Sequence, residues 1–183
     1  MEIAIRNYIA GSYPLESEPN LWDAIVILDS NLRETEFVEN YARNSLLLRF
    51  DDVTTPTHGK HTPTVDDVEL AIRFAAQSDR LMVCCRAGQS RSAAIAFSIA
   101  FQNDGANAAV ELLNPRRHSP NTLIIELAAS LVTDPMFVTT FHDWKTANSH
   151  VKLIDYVNEI EAEMDAIESS GARNRFILSL IHI

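Results

Sequence analysis

The residues best suited to chemistry lie in one run, Leu81-Met82-Val83-Cys84-Cys85-Arg86-Ala87-Gly88-Gln89-Ser90-Arg91-Ser92. A cysteine closes an apolar stretch, an arginine follows six residues later, and between them sits Gly88, one of only five glycines in the chain. That pattern predicts a strand, a tight loop and a helix. In such a turn the backbone N–H groups face inward and the helix N-terminus adds partial positive charge. Arg86, Ala87, Gly88, Gln89, Ser90 and Arg91 thereby form a nest for a tetrahedral dianion. Gly88 supplies the backbone freedom and close approach that a side chain would block. The same field favours thiolate over thiol at Cys85, the candidate nucleophile. Arg91 can hold two oxygens of a transferring phosphoryl group as they become trigonal, a bidentate geometry that lysine does not offer. Ser92 lies where its hydroxyl can donate to the sulfur and ease its departure from a covalent intermediate.

The leaving oxygen of a phosphoester also needs a proton, delivered from another loop. After Phe50 the stretch DDVTTPTHGKHTPT carries the breakers Pro56, Gly59 and Pro63 and reads as a loop that opens with Asp51 and Asp52. Adjacent carboxylates disfavour each other's charge, so both are candidates for the acid. His58 and His61 have no further ligands at metal-binding spacing and read as solvated or touching substrate, with no metal called for. Arg116-Arg117-His118 reads as a solvent-facing turn, and Trp22, Trp144 and the phenylalanines as core. Cys84 reads as a buried thiol. Its alternative, protecting an oxidised Cys85 by exchange, is disfavoured because a disulfide between adjacent residues is strained.

These residues need a scaffold. Apolar runs at residues 2–9, Ala24–Leu28 and Ser45–Phe50 predict strands, with a polar helix over Asn31–Tyr41. Thr64 reads as an N-cap, Asp66 and Asp67 suit the first turn, and Val68, Ile72, Phe74 and Ala75 give an apolar face to about Gln77. Leu81–Cys84 is the pattern of a central strand buried on both faces. Ser92–Phe101 predicts a buried helix ended by Asn103-Asp104-Gly105, Ala106–Leu113 a weaker one, and Ser119-Pro120-Asn121 the start of another through about Val132. Together they give an α/β domain over residues 1–133 and a helical C-terminal extension over 134–183, built from Pro135–Asn148, His150–Ser169 and an apolar tail. Leu153, Val157, Ile160, Met164 and Ile167 alternate four and three apart. They read as a helix packed on its own domain, with a dimer seam through 150–169 as the alternative.

With 183 residues, one hydrophobic core is expected. Acids outnumber bases 25 to 15, and the net charge of −10 argues against nucleic acid and anionic membranes as partners. No run of 18 apolar residues occurs, and Glu2 and Arg6 interrupt the opening segment, so neither a membrane span nor a signal peptide is expected and the cytoplasm is the default location. Two adjacent cysteines cannot build a disulfide framework. Residues 79–117 hold 3 acids and 5 bases, a balance of +2 against the negative remainder, which suits a small local phosphate rather than a polyanion.

CRAGQSRS at 85–92 resembles the HCxxGxxRS signature of the cysteine-dependent protein tyrosine phosphatase superfamily, in particular its dual-specificity branch. NPRRHSPNTLIIELAASL at 114–131 is similar to the segment that follows the signature there, and the chain also resembles small bacterial tyrosine phosphatases over about residues 45–132. The resemblance implies a central, mostly parallel sheet flanked by helices, no cofactor, and hydrolysis of phosphomonoesters through a phosphocysteine. It favours Asp52 over Asp51 as the acid, and leaves Asn121 either supporting the phosphate loop or starting a helix. Phosphotyrosine in a protein or a small aryl phosphate is the implied substrate. Cys84 stands where the family carries a histidine that tunes the nucleophile. That departure motivates the alternative of a catalytically weak or inactive phosphoprotein-binding pseudophosphatase. Sulfur transfer and arsenate reduction rank below both, the first because it does not call for Asp52, the second because it needs more resolving cysteines.

Overall fold

The computed structural model describes residues 1–32 and 36–169. Four parallel strands, β1 (Glu2–Asn7), β2 (Asp23–Leu28), β3 (Ser45–Arg49) and β4 (Arg80–Cys85), form one sheet in the order β1-β4-β2-β3. Every residue of β2 is buried, as expected for a strand covered on both faces. Helices α1 (Tyr8–Ser17) and α2 (Glu36–Tyr41) cover one face, where Tyr8, Leu15, Val38, Met82 and Cys84 pack together. Helices α3 (Val65–Ala75), α4 (Arg91–Leu112), α5 (Thr122–Ala128) and α6 (Met136–Ala147) cover the other. Helix α7 (Leu153–Ser169) follows. The sheet is thus wholly parallel and flanked by helices, as the sequence implies.

Boundaries differ where local chemistry intervenes. The first strand ends at Asn7, not residue 9, because the Asn7 side chain accepts from Ala10 N–H at 2.7 Å and caps α1. Helix α1 is absent from the sequence reading, since Gly11 and Pro14 both argue against a helix interior. Gly11 is there for contact: a Cβ on it would lie 2.5 Å from Cys84 Sγ. The helix expected over Asn31–Tyr41 is described only for Glu36–Tyr41, residues 33–35 lying outside the described residues. Thr64 and Asp67 form a capping box at the start of α3. The expected break at Gly105 is present as a left-handed residue (φ 83°) inside α4. Helix α5 stops at Ala128, and turn bonds to the Ala128 carbonyl carry the chain through Val132.

Helix α6 shares the core with the strands. Phe137 and Phe141 sit with ring centroids 5.6 and 5.9 Å from Phe97, and Phe101 meets Phe137 edge-on at 5.1 Å. Helix α7 reaches the body through Arg116, whose guanidinium lies 3.8 Å from Asp155 and 3.5 Å from Glu159. Of the spaced apolar residues on α7, Val157 is exposed, while the side chains of Leu153, Ile160, Met164 and Ile167 lie outside the described residues. No helix among the described residues is long and apolar enough to cross a membrane. Because Phe137 is buried in the shared core, Phe137→Ala is expected to destabilise the whole unit by about 3–5 kcal/mol in urea unfolding. A loss below 1 kcal/mol would show α6 to be a separable appendage.

Candidate active site

In a parallel sheet the C-terminal strand ends share one edge, and side chains from successive loops converge there. Here β2 hands over to Asp29 and Ser30, β3 to Phe50, Asp51 and Asp52, and β4 ends at Cys85. Phe50 N–H donates to the Leu28 carbonyl at 3.1 Å and keeps two of these ends together. The result is a cleft of about 310 Å³ whose lining includes Cys85, Arg86, Ala87, Gln89 and Arg91 together with Asp29, Asp51, Asp52 and Lys60.

Cys85 is buried at the cleft with Sγ 3.1 Å from the Ser92 hydroxyl, which is itself buried on the first turn of α4. Gly88 has φ +65°, and a Cβ there would meet the backbone of Arg6 and Asn7 at 2.5 Å. The loop therefore rests directly on the end of β1. Of the six expected nest residues, Arg86, Ala87, Gln89 and Arg91 line the cleft, Gly88 makes this backbone contact, and the Ser90 hydroxyl donates to Asp52 Oδ1 at 2.8 Å. Gln89 and Ser90 carbonyls accept from Ser119 and Asn121 N–H at 3.0 and 3.2 Å.

Arg91 is 3% exposed. Its Nη1 donates to the Phe50 carbonyl at 2.8 Å, and its Nη2 pairs with Asp29 Oδ1 at 2.7 Å. Nε has no protein partner. Burial works against the guanidinium charge, but the acidic groups around it, Cys85 and Asp29 foremost, more than compensate and raise its pKa. Asp29 is a cleft residue that the sequence reading missed. The available signal was its place directly after the apolar run Ala24–Leu28, at the end of a strand.

The two aspartates do different things, contrary to the expected mutual destabilisation. Asp51 is buried and accepts from the Ser30 hydroxyl at 2.7 Å, Ser30 N–H at 3.3 Å and His61 N–H at 2.7 Å. Burial pushes its pKa up, yet these donors and the Lys60 ammonium outweigh it and hold the carboxyl below its ordinary value. Asp51 is thus an ionised clasp that closes the loop back on itself. Asp52 is exposed on the cleft, with Oδ1 accepting from Ser90 and from Asn121 Nδ2 at 2.7 Å. Asn121 serves both readings, since its Oδ1 caps α5 through Ile124 N–H at 3.2 Å while its amide holds Asp52 and the Val53 carbonyl.

Cys84 faces away from the cleft, on the opposite face of β4 among Tyr8, Leu15 and Met82, so strand alternation separates the two sulfurs and disfavours exchange with Cys85. The fold also changes the electrostatic picture, because Asp29, Asp51 and Asp52 come from segments outside the positive stretch 79–117. Among the described residues, no three His, Cys, Asp or Glu side chains gather as a metal-ligand set. His118, expected to face solvent, is buried, with Nδ1 accepting from Asn114 N–H at 3.0 Å. Burial, together with the charges of Arg117 and Arg6, pushes its pKa down to about 3.

No family model matches the chain, and no curated protein does. Among solved structures it is similar to PTPMT1 in complex with PI(5)P, with 15% identity, 78% of this chain and 94% of that one covered, and a TM-score of 0.49. It is similar to Tk-PTP in the active form, with 14% identity, coverage of 80% and 92%, and a TM-score of 0.45. It is also similar to human DUSP28, with 18% identity, coverage of 79% and 92%, and a TM-score of 0.36. These are members of the cysteine-dependent tyrosine and dual-specificity phosphatase superfamily.

The depressed His118 pKa has a direct consequence for stability. A histidine neutral in the fold and basic in the unfolded chain stabilises fully above pH ~6.5 and loses that contribution as pH falls toward about 3. Stability measured by thermal or urea unfolding should therefore fall by up to ~1.4 kcal/mol per pH unit below pH ~6 from this residue alone. His118→Asn retains an acceptor for Asn114 N–H and is expected to flatten the profile between pH 6.5 and 4.5. An unchanged slope would show that His118 titrates normally in the fold.

Proposed function

We propose that the chain is a phosphomonoester hydrolase working through a phosphocysteine intermediate, with phosphotyrosine in a protein or a small aryl phosphate as substrate. The observation that carries this reading is one cleft holding a buried Cys85 sulfur beside the Ser92 hydroxyl, a guanidinium fixed by Asp29 and the Phe50 carbonyl, and an exposed Asp52. The Cys85 thiolate attacks phosphorus as the bond to the leaving oxygen breaks. Asp52 supplies that oxygen with its proton. Arg91 stabilises the equatorial oxygens, where charge is held in the transition state. In the second step Asp52 takes a proton from water, the water oxygen bonds to phosphorus and the P–S bond breaks. The departing thiolate is stabilised by a hydrogen bond from Ser92, and inorganic phosphate leaves.

The division of labour between the aspartates supports Asp52. Asp51 has its oxygens taken by three donors and its charge stabilised, so it holds no proton to give. Asp52 has Oδ1 occupied and Oδ2 left for a proton at the cleft. Asp29 does not touch the reacting atoms in this scheme and acts as a positioning residue for Arg91.

With chelator present, Cys85→Ser should reduce phenyl phosphate hydrolysis by about 1,000-fold or more. Wild-type turnover by that variant would end the covalent mechanism. Asp52→Asn should lower kcat by about 100-fold for phenyl phosphate and much less for p-nitrophenyl phosphate, whose leaving group needs little protonation. Micromolar phosphopeptide binding with no turnover in the wild-type protein would instead establish a pseudophosphatase.

Asp29→Asn gives a separate check on the clamp. Loosening the guanidinium should cut kcat/KM by ~10–100-fold and weaken inhibition by inorganic phosphate in parallel. Intact phosphate inhibition in that variant would show that Asp29 does not position Arg91.

A further inference from the structure

The cleft holds three cationic side chains, and only Arg91 is committed to the reacting phosphate. The Lys60 and Arg86 side chains form no close hydrogen-bonded pair with the acids beside them. Their side chains are 52% and 62% exposed, and each approaches a carboxylate only at 3.9 Å, Lys60 toward Asp51 and Arg86 toward Asp29. Both carboxylates have closer partners, although Lys60 adds to the charge that stabilises Asp51. Asp29 is engaged by Arg91 at 2.7 Å, and Asp51 by the Ser30 hydroxyl and N–H and by His61 N–H. Lys60 and Arg86 therefore keep their donors available to whatever enters, from two loops that both line the cleft. Asp52, the remaining acid there, has its Oδ1 engaged by the Ser90 hydroxyl and the Asn121 amide.

We propose that Lys60 and Arg86 form a second anion subsite, so that the preferred substrates are phosphomonoesters bearing another anionic group, a carboxylate or a second phosphate, on the same molecule. This deepens the phosphatase reading and rests on it for the reaction, but not for the binding. Arg86 presents a flat fork suited to either anion, and Lys60 a mobile point charge. Because both cations are solvent-facing, the effect is a moderate preference that weakens with salt, not an absolute requirement.

The test compares 4-(carboxymethyl)phenyl phosphate with its carboxamide, which have closely matched leaving groups, and adds benzene-1,4-diyl bisphosphate as the second-phosphate arm. Wild type should favour at least one dianionic ester over the amide by about 3–10-fold in kcat/KM at low salt. Lys60→Met and Arg86→Met should each reduce that ratio by about 2–5-fold, and 0.5 M salt should reduce it in wild type. Calorimetric Kd values for the carboxymethyl and carboxamide phenylphosphonates provide a readout that needs no turnover. If neither ester is hydrolysed but the acidic phosphonate binds more tightly in a Lys60-dependent way, the reaction is wrong and the subsite stands. Equal kcat/KM for all three esters and equal Kd for both phosphonates would overturn the subsite. So would a preference that both variants retain.

Discussion

The fold of the site depends on one buried guanidinium. Removing a positive charge from water is costly unless partners replace the lost hydration. Arg91 has such partners: the Asp29 carboxylate at the end of β2, the Phe50 carbonyl after β3, and the sulfur at the end of β4 that contributes to its electrostatic environment. A single side chain from the first turn of α4 thus ties together the ends of three strands. Any arrangement that displaces one of them leaves a charge stranded in the interior. Spacing within the loop can then be modest in sequence and still be sharply defined in space.

Around that pair, polar side chains link elements that apolar packing alone would leave independent. Asn121 caps α5, holds Asp52 and follows a backbone bond to Ser90. Asp51 clasps Ser30 and His61, giving the loop between β3 and α3 a fixed base while Asp52 stays at the open side. Two neighbouring residues of the same type thereby acquire opposite environments. Asp51 is buried among three donors, whereas Asp52 is exposed at the cleft with one oxygen held by Ser90 and Asn121.

What the sequence made legible was what is local. Cys85, Gly88, Arg91 and Ser92 fall within eight residues, and the apolar strand before them and apolar helix after them repeat the same message. The cap at Thr64 and the break at Gly105 were equally readable, since each depends on a few neighbouring residues. Asp29 was not, because its role exists only when β2 lies beside β4. Helix α1 was hidden by Gly11 and Pro14, whose helix-breaking character is overridden by packing against Cys84 and the sheet. The burial of His118 was invisible for the same reason, as its run of charged neighbours says nothing of the groove into which the fold turns it.

The contact between Gly88 and the Arg6–Asn7 backbone carries a consequence for how the protein comes into being. β1 and its parallel partner β4 lie far apart in sequence, with Glu2 opposite Arg80 and Asn7 opposite Cys85. β1 must wait for the distant β4 before it can pair, a high-contact-order step whose loop-closure entropy slows folding. During synthesis β1 therefore remains without this partner until β4 has emerged, and the floor beneath Gly88 is laid only then. The loop after β4 cannot be seated before β1 and β4 have met, so Cys85 acquires its setting only through a contact between segments far apart in the chain.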